Sequence, residues 1–230
     1  CIRDRAQALE PAVNFHGATQ VAYSPRDGAI DPVLVSKALA AAAIQQGAQV
    51  LERCEVLGVD DSSDQKGKLL RTSCGPIEAD RVVLATGPDP VAVKRFGGFD
   101  LPQRSTPGVI VVTRPVKPLL HGILVAPGIH IHQRKDGRLV IGEQEGAPDT
   151  AAHAARLADR PKRFPDDLVA DQHAQRLIAT TRDYLPSIGE VEVDEVLIGW
   201  RPLPVDGHPV IGPSPTDDRV YVAIMHSGVS

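Results

Sequence analysis

Much that would settle the class of this sequence at once is missing, and each shortage excludes something. Cysteine occurs three times, at Cys1, Cys54 and Cys74. That odd number, with no C-x-x-C pair and no histidine at ligand spacing, argues against a disulfide framework and against a zinc site. A reducing cytoplasm fits this usage. Lysine plus arginine number 25 against 29 acidic residues, so the formal charge of −4 and the pI near 6.1 supply no polycation for nucleic acid. Apolar runs such as AIDPVLVSKALAAAAI are too short and too interrupted to span a bilayer, and the start CIRDRAQALEP lacks the charged-then-apolar order of a signal peptide. The expectation is a soluble cytoplasmic chain with no membrane span and no nucleic-acid partner. Internal repeats and low-complexity tracts are absent. A G-x-S-x-G elbow is absent too, and the cysteines have no evident base, so no nucleophile arrangement stands out. No G-x-G-x-x-G follows a strand, and no acidic residue closes a following strand to hold an adenosine ribose.

What is present reads as an ordinary globular core of 230 residues. Residues 1–13 predict a short helix, 21–23 a short strand and 24–28 a turn. Asp31-Pro32 opens a helix whose apolar positions are Val33, Leu34, Ala38, Leu39, Ala42 and Ala43, and Gly47 ends it. Strands follow at 48–52, 55–60, 69–73 and 77–80, around a polar tip at 61–68, and 81–87 reads as a fully buried strand closing on a glycine. Residues 88–102 read as irregular, with Gly97-Gly98 as a joint. The pattern then changes to antiparallel strands at 109–113, 122–126, 129–133 and 138–142. Beyond them, 149–163 reads as a helix or a solvated loop, and 165–181 as a helix with Leu168, Val169, His173, Leu177 and Ile178 on one side. A strand over 191–198 returns the chain to its most informative stretch.

That stretch is IGWRPLPVDGHPVIGPSPTDDRVYVAIMHSG. An apolar strand ends in Gly199-Trp200-Arg201-Pro202, a Pro/Gly/Asp-rich hairpin follows, and a second apolar strand over 219–225 runs into His226-Ser227-Gly228. The combination resembles the flavin-dependent D-amino-acid oxidase, glycine oxidase and sarcosine oxidase family. The matching positions are Arg201-Pro202, Asp206-Gly207, Pro209, Ile211-Gly212 and His226-Ser227-Gly228. Gly28, Asp31-Pro32, Gly47-Ala48, Val56 and Ala85-Thr86-Gly87 match earlier landmarks of the same family. The resemblance covers essentially all 230 residues but only the middle and late portions of the family pattern, without its first βαβ unit and its last helix.

The resemblance implies an α/β fold, α+β overall: part of an FAD-binding domain with a mixed or parallel sheet, plus a mainly antiparallel substrate domain. Residues 1–90 and 198–230 would form the former, with the short strand near 21–23 attributable to either, and 91–197 the latter. Cofactor contacts would come from Val56, Ala85, Thr86, Gly87, His226, Ser227 and Gly228, since backbone amides can read an adenine edge and glycine permits close approach. On local pattern alone, Val56 is simply core and Gly87 simply a turn. Arg201 would carry the substrate carboxylate, because a guanidinium fork matches a carboxylate bidentately. An arbitrary arginine beside a Pro-rich turn is more often a surface residue. The resemblance also marks His130 as a pocket position, although relatives commonly carry tyrosine there. His130 and His132 share a strand face by period two and could bind metal, though two histidines without a third ligand are more often a hydrogen-bonded pair, so no metal is expected. Glu143 and Glu145 share a face that could meet a substrate amine.

The implied function is FAD-dependent dehydrogenation of a small amine or amino acid, of glycine, sarcosine or D-amino-acid type, to an imine. Flavin would be noncovalent, because no cysteine lies near Arg201, and either oxygen or a partner dehydrogenase subunit could take the electrons. The alternative is a noncatalytic truncated or split subunit with an incomplete FAD site. Because the pyrophosphate normally rests on a glycine-rich turn and helix N-terminus, these 230 residues alone should bind FAD weakly or not at all. Titration of FAD into the chain should give no tight, saturable fluorescence quenching.

Overall fold

A computed structural model describes residues 2–15, 17–63, 66–143, 162–164 and 166–226. In chain order the elements are α1 (Ile2–Leu9), α2 (Pro32–Gln45), β1 (Val56–Asp61), β2 (Lys68–Thr72), β3 (Gly75–Ala79), β4 (Val82–Leu84), α3 (Pro90–Gly97) and β5 (Gln103–Pro115). They continue with β6 (Ile123–Ala126), β7 (Ile129–Gln133), β8 (Arg138–Glu143), α4 (Asp167–Tyr184), β9 (Val193–Pro204), β10 (Val210–Pro213) and β11 (Val220–Ile224). Helices and sheets are mixed, as the sequence implied. Two compact units result: Cys1–Ile30 with Pro107–Gly199, and Asp31–Thr106 with Trp200–Ser230.

The first unit is built on a five-stranded sheet in the order β6-β7-β8-β5-β9. Ile129 and Ile131 of β7, Leu139 and Ile141 of β8, and Val109 and Val111 of β5 turn one face of it toward α4, which contributes Ala174, Leu177 and Ile178 to the same core. Alternation puts all of these on one side of the pleat. Leu168, which the helical periodicity assigned to the apolar side, is 65% exposed, and Thr181 is buried instead. Asp166 caps α4 by accepting from Leu168 N at 2.9 Å.

In the second unit, β1, β2 and β3 form an antiparallel meander, while β10, β11 and β4 form a small mixed sheet. β11 pairs antiparallel with β10 and parallel with β4, with Val220 opposite Val82 and Val222 opposite Leu84. Val82, Leu84, Val220, Val222 and Ile224 are buried with Val93 of α3 and with Leu101. Val83 points the other way and is 61% exposed, so β4 is not the fully buried strand its apolar run implied.

Three other expectations change. Residues 21–23 and 48–52 are not strands, and Val50 and Leu51 are about half exposed, because no strand among the described residues pairs with them and β-propensity without a ladder does not make a strand. The irregular stretch after Gly87 contains α3. Asp89 Oδ1 accepts from Val91 N and Ala92 N at 3.1 and 3.3 Å, and Pro90 occupies the first turn. Gly98, read as a joint, is the left-handed C-cap at φ 74°. The expected helix or loop at 149–163 falls mainly outside the described residues.

The meander and the mixed sheet are tied together by four charges. Lys68, nearly buried, reaches Asp61 at 2.9 Å and Asp217 at 2.6 Å, and Arg219 reaches the same two carboxylates at 2.9 and 3.3 Å. Hydrogen bonding from Lys68, with further bonds from Arg219, holds the Asp217 carboxyl at about 2, and Lys68 also lowers Asp61. Burial pushes Lys68 down, but its bonds to Asp217 and Asp61 outweigh this and raise it. A depressed carboxyl contributes stability that is present above its unfolded value, 3.8, and is lost as pH falls through its folded one. The thermal midpoint should therefore drop between roughly pH 4 and pH 2, and Asp217→Asn should flatten that drop. Lys68→Met strands two carboxylates on Arg219 and should cost on the order of 2–3 kcal/mol in chemical denaturation, less than a fully enclosed pair because Asp61 is half exposed.

Candidate functional site

Parallel pairing aligns the carboxyl ends of β4 and β11, since Val222 sits opposite Leu84. Past those ends the chain leaves through Ala85-Thr86-Gly87 on one strand and through Met225-His226 on the other, and the carboxyl edge of parallel strands is where α/β sheets receive ligands. The structure thus brings together two of the three segments that the sequence nominated for a cofactor. The 85–87 turn is pinned by Thr86, whose Oγ1 donates to Asp89 O at 3.1 Å and whose carbonyl accepts from Asp89 N at 3.3 Å. Gly87 adopts φ 59°, in the left-handed region, and no heavy atom lies within 4 Å of the position a Cβ would take. A backbone shaped this way is open to close approach.

Gln103, at the start of β5, donates through Nε2 to Gly87 O at 3.2 Å. Its Oε1 is buried without a hydrogen-bond partner among the described residues, and so is His226 Nδ1. Buried polar atoms in native proteins are nearly always satisfied, so orphans beside an open turn are what a polar ligand would complete. Gln103 was not singled out from the sequence, and nothing in its local pattern sets it apart. Val56 begins β1 opposite Thr72, half-buried, with a register shift before Gly58. Arg201 is half-buried in β9, in the same unit as Gly87 and His226. Ser227 and Gly228 lie outside the described residues.

His130 belongs to the other unit. On β7 it alternates with Ile129 and Ile131, which face α4, so His130 and His132 occupy the opposite face. Directly across on β8 is Gly142, and a Cβ there would overlap the His130 imidazole. Burial lowers the pKa of His132, with nearby Arg134 and His130 adding to the effect. No group of three potential metal ligands occurs among the described residues. Glu143 corrects an expectation: it lies opposite Ile129 on the helix face of the sheet, its side chain is 7% exposed, and Arg176 of α4 reaches its Oε1 at 2.5 Å. It therefore braces the helix on the sheet face away from His130. Glu145 lies outside the described residues. Clefts beside α4, lined by Asp171, Gln175 and Val193, and beside Lys66 and Glu78 contain none of the nominated residues.

The family model described as FAD dependent oxidoreductase matches residues 2–230. The chain belongs to this FAD-dependent oxidoreductase family. Glycine oxidase of Geobacillus kaustophilus (strain HTA426) is 28% identical over 225 residues, covering 97% of this chain and 55% of that protein. Sarcosine oxidase subunit beta of an Arthrobacter species is 28% identical over 214 residues, covering 85% of this chain and 51% of that one. The crystal structure of the Geobacillus kaustophilus glycine oxidase superposes with a TM-score of 0.76 at 28% identity, covering 98% of this chain and 56% of that chain. The chain thus spans about half the length of the relatives it matches. No helix among the described residues is long and apolar enough to cross a membrane.

The residues present fit part of a flavin dinucleotide site. The open left-handed Gly87 turn and the orphaned atoms of Gln103 and His226 offer backbone approach and polar partners at the sheet edge where such a ligand belongs.

Gly142→Ala should destabilise the protein by about 1–3 kcal/mol, the usual range for overpacking, because the new methyl must displace the His130 ring. In a His130→Ala background the same substitution should cost much less. Equal costs in the two backgrounds, read by chemical denaturation, would show that His130 does not require the glycine.

Proposed function

We propose that the chain forms the substrate-side and part of the cofactor-side machinery of an FAD-dependent enzyme that dehydrogenates a small amine or amino acid to an imine. Glycine, sarcosine and D-amino acids are the substrate types in view, and the imine hydrolyses afterwards. The observation that carries this reading is the pairing of a family match over nearly the whole chain with the open turn and His226 at one sheet edge. FAD, when bound, supplies the electron sink that accepts a hydride from the substrate Cα.

In this reading Ala85, Thr86 and Gly87 give backbone approach to the dinucleotide, Val56 presents its backbone to the adenine, and Gln103 holds the turn in place through Gly87 O. His226, with Ser227 and Gly228, meets the flavin, where a positive or hydrogen-bond-donating group favours the reduced ring. Arg201 pins the substrate carboxylate through its planar fork. Orientation of a bound substrate by such a clamp is itself a large share of catalysis.

A second reading has its own observation. α2 is apolar almost throughout yet buries no side chain, with Leu34 and Leu39 both 65% exposed. An exposed apolar face of that kind marks an interaction surface, and it supports the alternative of a noncatalytic truncated or split subunit with an incomplete FAD site. A flavin absorption band in a longer protein that carries this segment separates the two.

Arg201→Ala in the flavin-loaded enzyme tests the assignment. A charge-assisted bond is worth roughly 1.5–3 kcal/mol, so kcat/KM for amino-acid substrates should fall by roughly one to two powers of ten, while flavin content stays unchanged. Amines without a carboxylate should lose far less. Equal losses for both substrate types would assign Arg201 to the fold or the flavin, and no loss in either would make it a bystander.

A further inference from the structure

Cys54 and Cys74 are far apart in a sequence without any C-x-x-C, but the antiparallel pairing of β1 with β2 makes them neighbours. Val56 is opposite Thr72. The pairing extends one step further, with Ser73 N donating to Glu55 O at 2.9 Å and Glu55 N donating to Ser73 Oγ at 2.9 Å. Continuing that count sets Cys54 against Cys74. Both residues converge on one hydroxyl: the Cys54 thiol donates to Thr72 Oγ1 at 3.3 Å, and Cys74 N donates to the same atom at 3.1 Å. Cys74 is exposed and Cys54 half-buried, so small reagents can reach the pair.

We propose that Cys54 and Cys74 form a thiol–disulfide exchange site that closes into a cross-strand disulfide when it meets a small-molecule disulfide such as glutathione disulfide. Cys54 lies two residues before β1 and Cys74 in the turn between β2 and β3, so the pair continues the register just past the last strand pair. A continued antiparallel register holds Cα atoms roughly 4.5–5.5 Å apart, inside the roughly 4.4–6.8 Å that a disulfide spans. The two thiols are also chemically unequal. The neighbouring Cys74 thiol lowers the Cys54 pKa, while Cys54 raises that of Cys74. Cys54 is therefore the attacking thiolate. It attacks one sulfur of the small disulfide, whose S–S bond breaks and releases one thiol, leaving a mixed disulfide on Cys54. Cys74 then loses its proton to solvent and attacks the Cys54 sulfur, expelling the second thiol. Two protein thiols are oxidised to one disulfide, and one small disulfide is reduced to two thiols.

The test treats the folded, reduced protein at low concentration with glutathione disulfide, blocks remaining thiols, isolates the monomer on a non-reducing gel, and maps tryptic peptides without reductant. Peptides 54–66 and 72–81 should appear linked, with neither Cys54 nor Cys74 left for the blocking reagent and no glutathione retained on either. Cys1→Ser should leave the linkage intact. Cys74→Ser should instead hold a glutathione adduct on Cys54, whereas Cys54→Ser should label more slowly at Cys74. A wild-type protein that keeps a stable glutathione adduct on Cys54, keeps all three thiols free, or links either residue to Cys1 would overturn the proposal.

Discussion

The parallel pairing of β4 with β11 is the constraint on which the candidate site depends. It joins two short apolar segments far apart in the sequence, and neither could bury itself alone. Val82, Leu84, Val220, Val222 and Ile224 become buried through it, along with Val93 and Leu101. Each such side chain contributes about 1.5–3 kcal/mol when taken fully from water, so the small sheet has enough driving force to hold its register. Register matters because a slip of one residue would turn Val83 inward and Leu84 outward. It would also move the Gly87 turn relative to His226. The charges of Lys68, Arg219, Asp61 and Asp217 act on the same junction, fixing the turn that leads into β11 against the edge of the meander. Their value lies in geometry more than in net energy, since desolvation offsets much of the attraction in a nearly buried ion group.

The elements most legible in the sequence were those defined by local chemistry. Period-two alternation located β7 to the residue and β8 to within one, because one face of each is packed and the other is not. Asp31-Pro32 correctly announced α2, with Asp31 Oδ1 accepting from Val33 N and Leu34 N at 2.9 and 3.0 Å. The same signal at Asp89-Pro90 went unread, since Gly97-Gly98 and the flanking prolines made the stretch look irregular. A helix of only eight residues leaves little periodic pattern, and its cap is then the better evidence. The failed strand at 48–52 errs in the other direction. Val50 and Leu51 have the right propensity, but a strand exists only with a neighbour, and no local pattern names one.

The candidate site divides in a similar way. Gly87 was legible because a strand that closes on glycine announces a turn, and His130 because alternation fixes its face. Glu143 was misread for a reason the sequence could not supply. Period two groups it with Leu139 and Ile141, but only the packing of α4 shows that this face is the covered one, where Arg176 meets it. Gln103 and the Cys54–Cys74 pair needed tertiary structure outright: a side chain reaching Gly87 O, and a register between strands.

α2 separates what local signals can specify from what they cannot. Its cap, its proline at the first position and its run of alanines all favour the helix locally, since alanine has the highest intrinsic propensity and Asp31 satisfies two of the free amides. Its apolar positions recur at helical spacing, but Val33, Leu34 and Leu39, and Ile44 beyond them, are all more than half exposed. Hydrophobic patterning therefore records that a face has something to bury, and it does so whether or not the burying partner is in view. For β4 and β11 the partner lies within the described chain, so pattern and packing coincide and the sheet edge between them has a defined shape. For α2 they part, because no described residue covers its apolar face.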